Sequence, residues 1–151
     1  MEDKSFFSKV EKNFLINLRV ARIATINSED GFPHIVPICF VFYDNLFFTS
    51  LRKTSKRLHN LDKNSKVSIL FDEYEEKNGQ WVILRGMLVK MDFKLLNNKG
   101  QSEGFMKGWI KLIEKYSQYK TWAHEDLSPT DPDLRRIMQM KPIDKISWGF
   151  S

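Results

Sequence analysis

The stretch Ala21–Arg57, ARIATINSEDGFPHIVPICFVFYDNLFFTSLRKTSKR, decides the fold. Two turns divide it: Asn27–Gly31 is rich in turn-forming residues, and Asp44-Asn45 is a dipeptide typical of a tight β-hairpin. The segments around these turns are apolar and rich in β-branched and aromatic residues, which favours strands over helices. The sequence therefore predicts three strands joined as an antiparallel meander: Ala21–Ile26, Pro33–Tyr43 and Leu46–Ser50.

A basic segment rich in hydroxyl groups follows the third strand. Thr49–Arg57 (TSLRKTSKR) contains four hydroxyl side chains and four cations, and Thr54 or Ser55 is a suitable N-cap for a helix to about Asn60. Cations in a first turn oppose the helix dipole unless an anion is bound there. We therefore predict a phosphate site, with a solvated helix start as the alternative. Its cations are Lys53, Lys56 and Arg57.

The remaining sequence predicts three more strands and three more helices. The strands are Lys66–Tyr74, Trp81–Asp92 and Asp144–Phe150, and the helices are Lys4–Leu18, Ser102–Tyr119 and Asp131 to about Met140. Gly86, inside a strand, indicates a bulge or a close approach by another backbone. Strands and helices do not alternate along the chain, which favours an antiparallel barrel with peripheral helices over a doubly wound sheet.

Composition and charge restrict the class of protein without choosing a ligand. With 151 residues, 42% of them hydrophobic, the chain is predicted to form one domain over residues 1–151. The net charge of +5 is compatible with nucleic acid, an anionic cofactor or an acidic substrate. A single cysteine, an acid-containing N-terminus and the lack of a bilayer-length apolar run predict a cytoplasmic protein without a membrane segment.

The candidate chemical groups show no familiar catalytic or metal-binding pattern. His34, His59, His124 and Cys39 lack metal-ligand spacing, so we predict no metal, and Cys39 within an apolar run is interpreted as a buried, inert thiol. No catalytic side chain is identified. The strand aromatics lie in apolar runs, which indicates a core and argues against a nucleic-acid-binding barrel.

A larger motif points to a family. The block RIATI-x4-GFPHIVPICFVFYDNLFFTS-x2-KTSKRLHNL-x3-SKVSILFDEY-x6-WVILRGML resembles the pyridoxamine 5′-phosphate oxidase-like flavin and deazaflavin oxidoreductases, most nearly the small coenzyme F-420-dependent subgroup. The resemblance covers Phe14–Asp92 and Pro142–Phe150. It implies a mainly β (α+β) fold, a six-stranded antiparallel split β-barrel with peripheral helices.

The resemblance also implies a homodimer with FMN or coenzyme F-420 bound at the subunit interface. The implied cofactor-binding residues are Pro37, Ile38, Cys39 and Phe40 beside the ring, Thr49 and Ser50 near the ribityl chain, Lys53, Lys56 and Arg57 at the phosphate, and Arg85 and Trp148 near the interface. The chain ends PIDKISWGFS, without the arginine-rich substrate motif of true pyridoxamine-phosphate oxidases. Oxidation of vitamin B6 is therefore not expected.

The expected reaction follows from the cofactor, since the cofactor carries the hydride chemistry in such proteins. We expect hydride transfer between coenzyme F-420 and a small organic acceptor, with a small molecule as substrate. An FMN-dependent reductase or oxidase and a flavin carrier without enzymatic activity remain alternatives. The basic segment suits both the single phosphate of FMN and the longer anionic tail of the deazaflavin. His34 is interpreted either as a half-exposed strand histidine or as a contact to substrate or flavin.

Overall fold

A computed structural model describes residues 5–100, 102–116 and 134–150 of the chain. Within these residues it contains three helices and seven strands. The helices are α1 (Lys9–Asn17), α2 (Lys56–Lys63) and α3 (Ser102–Lys115). The strands are β1 (Ala21–Ile26), β2 (Pro33–Ile38), β3 (Val41–Tyr43), β4 (Leu46–Arg52), β5 (Val67–Lys77), β6 (Gln80–Leu96) and β7 (Arg135–Trp148).

The strands form one antiparallel sheet in the order β2-β1-β5-β6-β7-β4-β3. Strands β2 and β3 lie at opposite ends of this order, yet only Cys39 and Phe40 separate them along the chain. Since three Cα–Cα steps span at most about 11 Å, the two edges of the sheet must meet, and the sheet rolls into a barrel. The predicted antiparallel barrel with peripheral helices is confirmed. The predicted count of six strands is wrong, because the sheet has seven.

The largest correction concerns β7. The predicted helix up to Met140 is wrong, because Arg135–Trp148 is a single strand. It lies between β6 and β4, and Met140 is paired with Phe93 on one side and Phe47 on the other. Pairing along both edges outweighs the local helix signal of these residues. The predicted N-cap at Asp131 lies outside the described residues.

Smaller differences concern where elements begin and end. Strand β5 continues to Lys77, three residues beyond its predicted end at Tyr74, and only the turn Asn78-Gly79, with positive φ at both residues, separates it from β6. Asp44 and Asn45 also have positive φ, as the predicted two-residue hairpin requires. Helix α1 begins at Lys9, because Ser8 and Glu11 form a capping box. Lys4 and the predicted end of the third helix beyond residue 116 lie outside the described residues.

The core has two parts. The barrel interior is filled by aromatic, aliphatic and methionine side chains, and Phe7, Phe14 and Leu15 from the α1 region close one end of it. A second cluster lies outside the barrel wall, where α3 packs on the sheet. In that cluster Phe105 and Leu112 from α3 contact Phe48 and Ile137 of the sheet. The two packed surfaces hold β4 and β7 from both sides.

Candidate functional site

The crossover, Cys39-Phe40, is held by hydrogen bonds on both sides. Thr49 Oγ1 on β4 donates to the Cys39 carbonyl at 2.7 Å. Tyr116 Oη, immediately after α3, accepts from the Phe40 N–H at 3.1 Å and lies 2.8 Å from the Phe40 carbonyl. The Phe40 ring is fully buried in the barrel. The crossover is therefore a fixed backbone feature at the place where the two sheet edges meet.

The side chain of Cys39 is more exposed than the sequence predicts, whereas the surroundings of its thiol fit the expected low reactivity. Its side chain is half-buried, where full burial was predicted. Burial raises the pKa of the Cys39 thiol, and the nearby charges of Arg19 and Lys115 oppose that rise only in part. A thiol that stays protonated is a poor nucleophile. The inert role predicted for Cys39 therefore fits its surroundings.

Strand β2 leaves one edge open beside the crossover. Among the described residues it pairs only with β1, where Pro37 lies opposite Arg22 and Pro33 opposite Ile26. Proline has no N–H to give to a ladder, so in an edge strand its nitrogen faces the open side. The alternation of the strand then puts the Ile35 N–H on this side too. This edge is rich in carbonyl acceptors and poor in donors, so it resists the addition of another strand.

The basic corner consists of six cations in two chain segments, Arg52, Lys53, Lys56, Arg57, Arg135 and Arg136. Helix α2 begins at Lys56, with Ser55 as the N-cap and its side chain accepting from the Leu58 N–H. This confirms one of the two predicted N-caps. No acidic residue lies in the first turn of α2. Lys56 reaches Glu29 at 3.0 Å, an exposed pair that contributes little stability.

The sequence prediction missed the part of the basic corner that β7 supplies. Arg135 lies directly opposite Arg52, and Arg136 lies opposite Leu51. Because the prediction treated residues 134–140 as helical, it gave these two arginines no neighbour on β4. The alternation of Met138, Gln139 and Met140, with both methionines buried, is the signal that could have revealed them.

Three buried polar atoms, in the turn after β1, in β2 and in β4, have no hydrogen-bond partner in the described part of the chain. They are Ser28 Oγ, His34 Nδ1 and Ser50 Oγ. Around the first two, Asn60 of α2 donates to Thr25 Oγ1 at 3.1 Å and accepts from the Ser28 N–H at 3.2 Å. Buried polar groups are nearly always hydrogen-bonded to protein, water or a ligand. These three atoms are therefore available for hydrogen bonds to a polar ligand or to water.

Arg85 and Trp148 lie elsewhere on the sheet. Arg85 Nε contacts Glu73 at 2.9 Å, and its guanidinium lies over the rings of Phe14 and Phe150. The charge of Arg85 therefore has a partner within the chain. Trp148 lies against Gly86, where an added Cβ would come within 2.7 Å of the indole and of the Phe71 carbonyl. The Phe71 carbonyl is the close approach by another backbone that was predicted at Gly86, and Trp148 adds a side-chain contact.

These two residues are far from Ser50 along the sheet. Ser50 is paired with Ile137, and Trp148 is eleven residues further along β7, or roughly 35 Å at the rise of an extended strand. Arg85 is adjacent to Gly86, which is paired with Trp148. The crossover is closer to them than Ser50 is, because the sheet rolls up: the Phe40 and Phe71 ring centroids are 5.0 Å apart, and the Phe71 carbonyl lies against Gly86 beside Trp148.

The sheet carries an exposed apolar surface beside Trp148. We call it the outer face. Tyr74, Leu84 and Leu88 project from it on β5 and β6, and Ile146 and Trp148 project from it on β7. Each of the five side chains is at least 39% exposed, and Ile146 reaches 66%. Contiguous apolar patches of this kind mark interaction surfaces in soluble proteins.

A polar cleft lies beside α1. It encloses about 550 Å³ between α1 and strands β5 and β6. Its charged side chains are mostly paired, since Arg22 contacts Asp72 at 2.6 Å and Arg85 contacts Glu73 at 2.9 Å. The charged side chains of this cleft therefore do not indicate a site for a charged ligand.

Two further observations concern the described residues alone. No three His, Cys, Asp or Glu side chains lie close enough together to hold a metal ion in the part of the chain that the structure describes. No helix over residues 5–100, 102–116 and 134–150 has the length and apolar character needed to cross a membrane. His124 lies outside these residues.

The sequence profile of the pyridoxamine 5′-phosphate oxidase family matches residues 7–144. The chain belongs to this family. Among functionally curated proteins, none matches the sequence of this chain significantly. The resemblance read from the motif block, and with it the split-barrel fold, is confirmed.

Solved structures with the same fold include proteins with different functions. The heme storage protein HutZ from Vibrio cholerae is 18% identical, with 93% of each chain covered and a TM-score of 0.72. An FAD-binding protein from Mesorhizobium loti is 20% identical, with 93% of each chain covered and a TM-score of 0.67. An F420 reductase is 15% identical over 89% of this chain and 94% of its own, with a TM-score of 0.64. At such identities the likeness shows the fold alone.

Proposed function

We propose that this member of the pyridoxamine 5′-phosphate oxidase family is a cytoplasmic oxidoreductase that binds a flavin or deazaflavin and transfers a hydride between coenzyme F-420 and a small organic acceptor. The observation that carries the proposal is the basic corner next to the crossover. Ser50 lies two residues before Arg52, and its buried hydroxyl lacks a hydrogen-bond partner among the described residues. A phosphate on the ribityl chain of such a cofactor is the kind of anion that this group of side chains fits.

The chain's own residues have distinct tasks in the proposed site. Lys53, Lys56 and Arg57 bind the phosphate at the start of α2, where the helix dipole also favours an anion. Thr49 and Ser50 lie on the path from the corner to the crossover. Thr49 Oγ1 is already used by the Cys39 carbonyl, so Thr49 positions the backbone, and Ser50 keeps its hydroxyl for the ligand.

The ring of the cofactor is proposed to lie along the open edge of β2. Pro37, Ile38, Cys39 and Phe40 form the end of this edge and the crossover, and the two hydrogen bonds to the crossover keep the backbone in one conformation. Carbonyl groups on this edge can accept from an N–H of the ring, and the Ile35 N–H can donate to a ring oxygen. When bound, the cofactor supplies the hydride chemistry, and these groups supply orientation and polarity.

A homodimer completes the proposal. Arg85 and Trp148 lie roughly 35 Å along the strand from the level of Ser50. The resemblance implies that both residues lie near the subunit interface, so a second copy would contribute them to the shared site. The outer face beside Trp148 is the apolar surface on which that second copy would pack. A site shared between two copies accounts for an exposed apolar face next to residues that the resemblance assigns to the cofactor.

The deciding experiment is a parallel titration of cofactor-free protein with FMN, FAD, coenzyme F-420 and hemin, followed by absorbance and fluorescence. We expect micromolar or tighter binding of coenzyme F-420, and then oxidation of the reduced cofactor when a quinone is added. Tight binding of FMN alone would favour a flavin reductase or oxidase. Binding without turnover with any acceptor would favour a carrier, and binding of hemin alone would overturn the proposal.

A further inference from the structure

A histidine beside the open edge of β2 has neither ring nitrogen in use. His34 Nδ1 is buried and has no hydrogen-bond partner in the described part of the chain. Its Nε2 also lacks a partner over residues 5–100, 102–116 and 134–150, and it is open to solvent, since it is not one of the buried atoms without a partner. The half-buried imidazole therefore presents one nitrogen outward, where a ligand can form a hydrogen bond with it.

The imidazole lies on the barrel side of β2. His34 is directly opposite Thr25 of β1, which is 1% exposed. Val36 and Ile38, which share this face of β2, pack in the barrel interior. On its other side β2 has no neighbouring strand among those that the structure describes. The imidazole therefore lies between Thr25 and the open edge along which the cofactor ring is proposed to lie.

Helix α2 holds this place against the start of the phosphate site. Asn60 is fully buried, and its Nδ2 donates to Thr25 Oγ1 at 3.1 Å. Lys56 is four residues earlier on the same face of α2, and it contacts Glu29 in the turn between β1 and β2 at 3.0 Å. One helical turn is about 5.4 Å long. A cation proposed to bind the phosphate is therefore one turn away from the residue that bonds the neighbour of His34.

His34 consequently lies between the two ends of the proposed cofactor. Pro37, beside the ring, is three residues further along β2, or about 10 Å in an extended strand. The start of α2, where the phosphate is proposed to bind, lies in the other direction. The ribityl chain joins the ring to the phosphate and carries several hydroxyl groups. A hydroxyl group both donates and accepts, so it can pair with a histidine nitrogen in either tautomer.

We propose that His34 binds a hydroxyl group of the ribityl chain through its outward Nε2. This inference rests on the proposed function, because it adds a contact between the ring along β2 and the phosphate at the start of α2. The ligand class that it selects is a polyhydroxy chain ending in a phosphate. A site that pairs with a hydroxyl discriminates against ligands without one, so His34 is a specificity-determining residue.

The test compares three ligands that differ by one group at a time. Lumiflavin has the ring, riboflavin adds the ribityl chain, and FMN adds the phosphate. Dissociation constants are measured for native cofactor-free protein and for His34→Phe, which keeps a flat ring without hydrogen-bonding atoms. If the site takes only deazaflavins, the 5-deaza analogues of the three ligands are used.

We expect the affinity of His34→Phe for lumiflavin to change less than twofold. Its affinities for riboflavin and FMN should fall by the same factor, at least fivefold, because both ligands carry the chain. The unchanged affinity for lumiflavin shows that the variant is folded. Equal loss for all three ligands, or no loss for riboflavin, would overturn the contact.

The matched control is His59→Phe, which changes an exposed histidine of α2 and should leave all three affinities within twofold. His34→Gln keeps a side chain that can form hydrogen bonds, and it should bind riboflavin more tightly than His34→Phe does. If the two His34 variants lose the same affinity, packing and not a hydrogen bond is responsible, and the proposal fails.

A ligand without the ring separates this inference from the proposed function. Melting temperatures are recorded with inorganic phosphate and with ribitol 5-phosphate at equal ionic strength. Ribitol 5-phosphate should raise the melting temperature of the native protein more than phosphate does, and His34→Phe should lose that difference. If no flavin or deazaflavin binds but this pattern holds, the proposed function fails and the contact stands. If these cofactors bind and His34→Phe behaves as the native protein in both measurements, the contact fails alone.

Discussion

Tyr116 fastens the end of α3 to Phe40, because its hydroxyl accepts from the Phe40 N–H at 3.1 Å and lies 2.8 Å from the carbonyls of Phe40 and Arg19. A hydroxyl has one proton, so it donates to one of these carbonyls at a time. This contact joins residues 76 positions apart in the chain. It keeps the crossover in the conformation that the proposed site needs.

Removal of the Tyr116 hydroxyl is therefore expected to cost stability. Tyr116→Phe leaves the buried Phe40 N–H without its acceptor, and we expect the free energy of unfolding to fall by about 1–3 kcal/mol. Urea unfolding measures the change. Tyr43→Phe is the matched control, since Tyr43 is exposed and should change by less than about 0.5 kcal/mol. If both variants lowered the free energy of unfolding equally, the Tyr116 hydroxyl would not be what holds the crossover in place.

The pH dependence of stability near α3 is expected to depend on Lys115. Its ammonium donates to the Leu18 carbonyl at 2.6 Å and lies over the Phe40 ring. Burial, and after it the charge of Arg19, lower the pKa of Lys115 from 10.5 to about 8. Between these two pH values the unfolded chain binds more protons than the folded chain at this residue. The contribution of Lys115 to the free energy of unfolding therefore rises with pH across this window.

Lys115→Met tests this directly, because methionine cannot titrate. The difference in unfolding free energy, native minus variant, should be constant below about pH 7 and should increase from pH 8 to pH 10. Burial raises the pKa of the nearby Cys39 thiol and of Tyr116, so both give contributions of the opposite sign at higher pH in both proteins. Lys107→Met controls for loss of a charge from α3. A difference that does not vary with pH would contradict the prediction.

The phosphate site predicts a specific loss of cofactor affinity. Lys53→Ala with Lys56→Ala should weaken binding of the cofactor at least tenfold and leave the circular dichroism spectrum unchanged, because both side chains are at or near the surface. The control, Lys63→Ala with Lys66→Ala, removes two exposed cations from the other end of α2. Affinity unchanged by the first pair, or equally reduced by both pairs, would move the phosphate to a different place.

The shared site predicts a dimer that depends on the outer face. Light scattering should give twice the chain mass for the native protein. Leu88 and Ile146 lie directly opposite each other on β6 and β7. Leu88→Lys with Ile146→Lys therefore puts two positive charges side by side on that face, and we expect a monomer with reduced cofactor affinity. Val10→Lys with Ile16→Lys, two exposed aliphatic residues of α1, is the control and should remain a dimer. A native monomer that binds the cofactor tightly would rule out a shared site.

The sequence was sufficient wherever a local pattern agrees with the long-range fold. Asp44-Asn45 needs only two residues to make its turn, and Ser55 needs only the first turn of α2 to act as its cap. The alternating apolar residues of β1 and β5 likewise identify strands without help from their neighbours. The general family resemblance arises from the same block of residues.

The sequence was insufficient where distant residues decide the outcome. The division of Pro33–Tyr43 into two strands depends on hydrogen bonds from Thr49 and Tyr116 to the crossover, and neither contact leaves a local signal. Residues 134–140 carry helix-compatible side chains, and only the pairing with β4 and β6 makes them a strand. The error concealed Arg135 and Arg136, two of the six cations of the basic corner.

The place of β7 in the sheet also bears on how the chain folds. Strands β2, β1, β5 and β6 form one antiparallel block from residues 21–96, and β3 with β4 forms a separate hairpin. Among the described strands, β7 alone joins these two blocks by backbone pairing, and it begins at Arg135. Such distant pairing imposes a large loop-closure entropy, so folding should be slow, on a millisecond-to-second timescale. Until β7 docks, both blocks present unpaired edges, and in that interval the chain is most prone to aggregate.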